Sequence, residues 1–148
     1  YPEPPLFGRS AEESGTIMRV ICEYQAYAES HLMQLVYALF FANMDERAEE
    51  VARATQLVAA EARTIEARLT TSEWLVGEHA PAADMVVFPG IMLLLRAMEK
   101  REAGDLRARF LPMEDTYPAI ARWIRRMGSL PGYDRTVPPH WREGAPRG

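Results

Sequence analysis

The single cysteine and the nearest histidine are the first residues in this sequence that could perform covalent chemistry together. A thiol activated by an imidazole is a common nucleophile. Cys22 and His31 lie in one segment with helical periodicity, and nine residues separate them by about 13 Å along a helix axis. They therefore cannot act as a pair. A lone cysteine is more often a small buried apolar residue, so we expect Cys22 to be buried.

The other residue types that bind metals or move protons show no working pattern. His31, His79 and His140 are far apart in the sequence, and the Glu-x-x-His pairs of di-iron helical bundles do not occur. One cysteine allows neither an intrachain disulfide nor a cysteine zinc site. The acidic residues between positions 45 and 50 fit a solvated first helical turn better than a catalytic carboxylate pair. We therefore predict no metal cofactor and assign no catalytic residue.

Three tyrosines of the same helical segment, Tyr24, Tyr27 and Tyr37, could line a pocket for an apolar ligand. Aromatic side chains are also common in a protein core or a subunit interface, and we favour one of these two locations over a pocket for two of the three tyrosines. His31 falls within an apolar stripe, which favours a packed or interface histidine over a site residue. Chemistry alone thus indicates a helical domain and no particular reaction.

Composition excludes several classes of function. The 148 residues, 48% of them hydrophobic, suit one globular domain, and the net charge of −4 gives no basic excess for nucleic acid. The longest apolar run, Met85 to Leu95, is too short to cross a membrane. One cysteine and no secretory leader favour a cytoplasmic protein. Because the sequence starts without Met, we expect it to be part of a longer protein.

Two long amphipathic helices are predicted first. One runs from Ser10 to Ala42 and the other from about Asp45 to Leu69, with a cap over Asn43–Glu46 between them. Apolar side chains recur at steps of three and four in both. In the first helix these are Ile17, Ile21, Tyr24, Ala28, His31 or Leu32, Leu35 and Leu39. In the second they are Val51, Thr55, Val58, Ala62, Ile65 and Leu69.

A third helix begins near Ala83 and is apolar nearly all round, so we expect other helices to surround it. Shorter closing helices are predicted over Leu106–Leu111 and Tyr117–Met127. The fold class is therefore all-α: two long antiparallel helices, one buried central helix and shorter closing helices. We divide the chain into an interdomain linker over 1–9, a helical domain over 10–132 and a C-terminal tail over 133–148.

Four stretches carry a resemblance to a known family. The segment Trp74–Asp84, with Leu75, Gly77, Glu78 and Ala83-Asp84, resembles the approach to the buried sixth helix of glutathione transferases. The following Met85–Pro89 is similar to the version found in many bacterial members. Further matches are Tyr1–Gly8 to the interdomain linker of that family, Tyr117–Trp123 to its seventh helix, and Leu130–Tyr133 to the turn that follows. The chain is therefore similar over nearly its whole length to the C-terminal helical domain of a bacterial glutathione S-transferase family protein. One departure is Pro81, which stands where the family has a capping Ser or Thr.

The resemblance implies a function for the complete protein. It would conjugate glutathione, as co-substrate, to small hydrophobic electrophiles. The thioredoxin-like N-terminal domain of the family binds glutathione and activates its thiol, so this chain alone should be inactive. The helical domain would supply the electrophile pocket and a homodimer interface along the two long helices. A non-catalytic protein-interaction module of the same fold, and a glutathione-dependent reductase or isomerase, remain open alternatives.

The resemblance also implies positions for the pocket wall and for one structural residue. The wall would come from the first half of the first long helix and from the buried helix. Its candidates are Met18, Arg19, Cys22, Tyr27, His31 and Leu93. Asp84 is expected to be structural, accepting hydrogen bonds from donors at the start of the buried helix.

Overall fold

A computed structural model describes residue 3, residues 5–41 and residues 45–141. The described residues form helices and no β-strand, as the sequence predicts. The α-helices are α1 (Ala11–Tyr24), α2 (Ser30–Phe41), α3 (Ala48–Thr71), α4 (Ala82–Met98), α5 (Met113–Thr116), α6 (Pro118–Gly128) and α7 (Tyr133–Thr136). A π-helical turn (Gln25–Glu29) joins α1 to α2, and 3₁₀ segments cover Asp45–Arg47, Arg101–Arg109 and Pro139–Trp141.

The first predicted long helix is one continuous helical segment, α1 to α2, with the π turn in its middle. It begins after Ser10, whose hydroxyl accepts a hydrogen bond from the Glu13 N–H at 3.1 Å. The predicted stripe is buried, and Leu32, at 2% exposure, continues it. His31 lies half-buried beside that stripe.

α3 runs antiparallel to this helix, as two contacts at opposite ends show. The Arg47 guanidinium lies 5.5 Å from the centre of the Tyr37 ring at one end. At the other end Arg68 pairs with Glu23 at 3.6 Å. The predicted cap at Asn43 falls outside the described residues, which resume with a 3₁₀ turn before α3.

α4 is the central helix, but burial all round is a wrong expectation. The side chains of Ala83, Val87 and Leu94 are almost fully buried, whereas Met85 is 40% exposed and Pro89 is exposed. The apolar sequence of α4 indicates that the helix can be buried on every side. It does not indicate whether the covering residues belong to this chain or to another part of the protein. One side of α4 is uncovered by the described residues.

The closing segments differ from the sequence prediction in one place. The short helix predicted over Leu106–Leu111 is a 3₁₀ helix over Arg101–Arg109, which begins earlier, ends two residues sooner and is kinked at Gly104, with backbone angles of φ 44° and ψ −126°. α6 begins at Pro118, where a missing N–H is harmless. No described helix combines the length and apolar character needed to cross a bilayer.

Candidate functional site

Three of the predicted pocket residues lie on the outer side of α1. Ile17, Val20, Ile21 and Tyr24 form the buried side of this helix. Met18 is therefore turned outward with 46% of its surface exposed. Cys22, one turn later, is also exposed, so the expectation of a buried cysteine is wrong. Arg19 is exposed too, and its guanidinium pairs with Glu23, one turn later, at 3.7 Å.

The other three predicted pocket residues lie further along. Tyr27 stands in the π turn and is 61% exposed. His31 is half-buried, with Nδ1 3.2 Å from Oε1 of Gln34. Leu93 is half-buried on α4. Four of the six candidates are thus exposed and two are half-buried, and the described part of the chain does not enclose them in one pocket.

The three tyrosines have separate environments. Tyr24 belongs to the core at 6% exposure, and burial, with a smaller contribution from Glu29, raises the pKa of its hydroxyl to about 12. Tyr27 and Tyr37 are both exposed. Tyr24 packs so closely against α4 that a β-carbon at Gly90 would overlap its hydroxyl oxygen. The sequence analysis did not identify Gly90, because a small residue inside an apolar run carries no mark of a close crossing.

An uncovered apolar surface lies where the N-terminal segment passes the starts of α1 and α4. The Leu6 carbonyl accepts from the Ala82 N–H at 2.8 Å, and the Phe7 carbonyl accepts from the Ser14 hydroxyl at 2.6 Å. Leu6 and Phe7 are themselves exposed, and an exposed methionine follows within about one helical turn of each partner, Met18 after Ser14 and Met85 after Ala82. We call these four side chains, Leu6, Phe7, Met18 and Met85, the open face. The sequence predicted the linker but not its attachment to both helices.

Asp84 is the one fully buried carboxylate among the described residues. It accepts from the Leu75 N–H, at 3.1 Å to Oδ2 and 3.3 Å to Oδ1, and from the Trp123 indole N–H at 2.5 Å. Pro81 occupies the N-cap position of α4, and its side chain makes no capping hydrogen bond. Apart from its own N–H, the donors to Asp84 are not those at the start of α4, which corrects the expectation. It connects the loop before α4 to the middle of α6.

Burial dominates the acidity of Asp84. Loss of solvent raises its pKa from 3.8 to about 6, although the hydrogen bonds from Trp123 and Leu75 and the charge of Arg126 oppose the shift. The carboxylate is fully buried, so a substrate could not reach it in this conformation. Its geometry is that of a structural connection between two helices.

Glu66 is a second carboxylate connection, and the sequence analysis missed it. Its two oxygens accept from the N–H groups of Ala119 and Ile120, each at 2.8 Å. These donors are at the start of α6, where backbone N–H groups have no partner inside the helix. The Glu lies more than fifty residues before the helix it caps, so no local spacing reveals it. α6 is thus fixed by α3 at its start and by α4 at its middle.

No metal-binding cluster is present within the described residues, since no group of three or more His, Cys, Asp or Glu side chains converges there. The exposed candidates Met18, Arg19, Cys22 and Tyr27 offer apolar contact, one guanidinium and one thiol. Side chains of these types can bind an apolar molecule.

Comparison with known families and structures gives consistent results. The family model "Glutathione S-transferase, C-terminal domain" matches residues 28–131. A structure of a glutathione S-transferase from Pseudomonas fluorescens is similar, with 20% identity, a TM-score of 0.72, and coverage of 92% of this chain and 61% of that one. A glutathione transferase from Burkholderia graminis, solved with two glutathione molecules bound per subunit, has 20% identity and a TM-score of 0.72 and covers 88% and 51%. Poplar glutathione transferase F1 has 15% identity and a TM-score of 0.68 and covers 88% and 56%.

A comparison with curated protein sequences finds no match. At these identities the structural likeness shows the fold alone. The chain spans 51 to 61% of the length of the three structures.

Proposed function

This chain belongs to the glutathione S-transferase C-terminal domain family, and we propose that it supplies the electrophile-binding half of a glutathione transferase. Glutathione would be the co-substrate, held mainly by a thioredoxin-like domain outside the chain. The electrophile would be small and hydrophobic. The observation that carries the proposal is the set of exposed apolar side chains on α1 and α4. The chain also covers only 51 to 61% of the length of the transferases that it resembles.

The open face supports a covering domain. Leu6, Phe7, Met18 and Met85 are between 37 and 52% exposed, and the segment that carries Leu6 and Phe7 is hydrogen-bonded to the starts of α1 and α4. A monomeric domain rarely leaves neighbouring large apolar side chains in water without a partner. A second domain over this face would bury them and enclose Met18 and Cys22, which lie on the same side of α1. The pocket would then form between the two domains.

The proposal divides the reaction between two domains, one that activates glutathione and one, this chain, that binds the electrophile. Attack by a thiol needs a group that activates it, and the six pocket candidates of this chain are assigned to substrate contact only. The thiol of glutathione would be activated in the other domain. This chain would bind the electrophile, orient it and exclude water from it.

The test is glutathione binding and turnover by the full-length protein encoded by the parent reading frame, with a panel of electrophiles. In the reaction the glutathione sulfur attacks the electrophilic carbon and, for an aryl chloride, chloride leaves. Turnover supports the transferase. Binding without turnover points to a glutathione-dependent reductase or isomerase, and no binding favours a non-catalytic interaction module.

Tyr27 provides the sharpest test of the pocket. We expect Tyr27→Ala to raise KM for the electrophile several-fold and to leave KM for glutathione unchanged, because the ring would contact only the apolar substrate. Tyr27→Phe is the matched control, since it keeps the ring and should behave as wild type. An electrophile KM that does not change in Tyr27→Ala removes this residue from the pocket.

We also propose a homodimer that uses the outer side of α2. Met33, Tyr37 and Phe41 recur every four residues and are 46, 51 and 76% exposed, so they form one apolar stripe. The Tyr37 and Phe41 rings already contact each other, with centroids 5.7 Å apart. Such a stripe, at the hairpin end of the two long helices, suits a self-complementary interface.

Light scattering of the full-length protein tests the dimer. Tyr37→Glu should shift the molar mass from dimer to monomer, because a carboxylate would be buried without a partner. Thr136→Glu, at the exposed C-terminal helix, is the control and should remain dimeric. A Tyr37→Glu protein that stays dimeric at micromolar concentration contradicts the proposed interface.

A further inference from the structure

The linker segment 5–9 is attached by its backbone to both helices of the open face. Its carbonyl groups at Leu6 and Phe7 accept from the start of α4, at 2.8 Å, and from α1, at 2.6 Å. The third attachment is the Arg9 N–H, which donates to Oε2 of Glu13 at 2.8 Å. Three backbone groups within four residues are therefore bonded to the helical domain, so the path of this segment is fixed.

Glu13 forms a capping box in a shifted register. Ser10 and Glu13 have the spacing of this motif, and the Ser10 hydroxyl accepts from the Glu13 N–H at 3.1 Å. In the usual box the glutamate reaches back to the N–H of the cap residue itself. Here the donor is Arg9, one residue earlier. The carboxylate thus holds the end of the linker segment as well as the start of the helix.

The same carboxylate lies against two glycines. A β-carbon at Gly8 would lie 2.6 Å from Cγ of Glu13, and one at Gly77 would lie 2.6 Å from its Oε1. Both glycines have positive φ, 80° and 74°, which residues with a β-carbon rarely adopt. Gly77 belongs to the loop between α3 and α4. The Glu13 side chain therefore occupies a gap, between the linker segment and this loop, that only glycine leaves open.

We propose that Glu13 is a positioning residue that sets where the preceding domain lies over the open face. This inference rests on the proposed function, in which a glutathione-binding domain precedes the linker segment. Two linked domains move relative to each other by default, whereas a pocket that they share needs one geometry. The attachments tie the preceding domain to the two helices that carry Met18 and Met85. Glu13 acts through the linker segment and needs no contact with substrate.

Trypsin cleavage of the full-length protein after Arg9 tests the attachment, because Arg9 is exposed and cleavage requires the segment to detach. Mass spectrometry follows the fragment that begins at Ser10. Glu13→Ala should raise the cleavage rate about tenfold, since a hydrogen bond to a charged acceptor is lost. Glu12→Ala removes the same charge from the neighbouring exposed residue and should leave the rate unchanged. Glu13→Gln keeps an acceptor and should restore most of the protection.

A second variant disturbs the contact and keeps the carboxylate. Gly77→Ala should also raise the cleavage rate after Arg9, because the new β-carbon displaces Glu13. Gly104→Ala is the matched control, since its φ is also positive but no atom of the described residues lies within 4 Å of a β-carbon there. Circular dichroism confirms that each variant folds. Equal rates in Glu13→Ala and Glu12→Ala, or in Gly77→Ala and Gly104→Ala, overturn the attachment.

Two measurements on the full-length protein test the effect on the preceding domain. In small-angle X-ray scattering, which needs no turnover, the radius of gyration should increase in Glu13→Ala and return to the wild-type value in Glu13→Gln. If the protein turns over glutathione, Glu13→Ala should also raise KM for the electrophile several-fold and leave KM for glutathione unchanged. An unchanged radius of gyration or an unchanged electrophile KM overturns the positioning role, whereas absence of turnover refutes only the proposed function.

Discussion

The buried carboxylate of Asp84 should make the domain less stable as the pH rises from about 4 to about 6. Its pKa is about 6 in the folded chain against an ordinary value of 3.8. Between these values the unfolded chain releases a proton that the folded chain retains. The contribution of the protonated group is therefore complete below pH 3.8 and is lost as the pH rises through 6. A shift of about two units corresponds to roughly 3 kcal/mol.

Substitution of Asp84 by Asn isolates this effect. The amide oxygen can accept the two hydrogen bonds that Oδ1 receives from Trp123 and Leu75, and the side chain no longer titrates. Urea unfolding of both proteins at pH 4 and pH 7, followed by tryptophan fluorescence, gives four free energies. The wild type should lose about 3 kcal/mol more than Asp84→Asn over this interval. Equal losses in the two proteins would refute the reasoning, because the pH dependence would then come from other groups.

Substitution of Asp84 by Ala separates the hydrogen bonds from the charge. It leaves the N–H groups of Leu75 and Trp123 buried without an acceptor, which costs about 1–3 kcal/mol for each group. We expect Asp84→Ala to lower Tm at both pH values and, under the proposed function, to leave the chemical step of the full-length protein unaffected. An unchanged Tm would contradict the structural role.

Two further substitutions test the packing around α4 and α6. Gly90→Ala should reduce the free energy of unfolding by about 1–3 kcal/mol, and Tyr24→Phe in the same protein should restore much of it by removing the hydroxyl. Gly15→Ala is the control, because a β-carbon there meets nothing within 4 Å, and it should stabilise α1 by about 0.5–1 kcal/mol. Glu66→Ala should cost about 2 kcal/mol by leaving two N–H groups of α6 unpaired, whereas Glu114→Ala, which removes an exposed ion pair, should cost less than about 1 kcal/mol. Chemical denaturation measures all of these, and equal effects of Gly90→Ala and Gly15→Ala would contradict the close contact.

Periodicity predicted the elements of this fold well, for a physical reason. A helix that packs on one side must repeat its apolar residues every three or four positions, and the stripe from Ile17 to Leu39 does so. The π turn in the middle of that stripe was not predictable, because it inserts one residue without interrupting the apolar spacing. The 3₁₀ helix Arg101–Arg109 was predicted only in part, over Leu106–Leu111, because the kink at Gly104, where φ is positive, lies before that stretch and leaves no mark in the apolar pattern.

The contacts between helices were harder to predict from the sequence than the helices themselves. Asp84 could be identified because it belongs to a local motif, yet its partner Trp123 is 39 residues away. Glu66 reaches α6 across more than fifty residues. Sequence spacing carries information over one or two helical turns, and these bonds depend on how helices pack. The exposure of Cys22 could have been predicted, since helical spacing places it away from Ile17, Ile21 and Tyr24; the usual burial of cysteine favoured the wrong expectation.

The structure divides the residues around α4 into two groups with different expected consequences. Asp84 and Gly90 hold α4 against α6 and α1, on the side that this chain closes by itself. Met85 on α4 and Met18 on α1 are both left exposed by the described chain. Changes in the first group should act on the stability of the helical domain. Changes in the second group should act on the affinity for a covering domain and for the electrophile, because under the proposed function the pocket exists only when that face is covered.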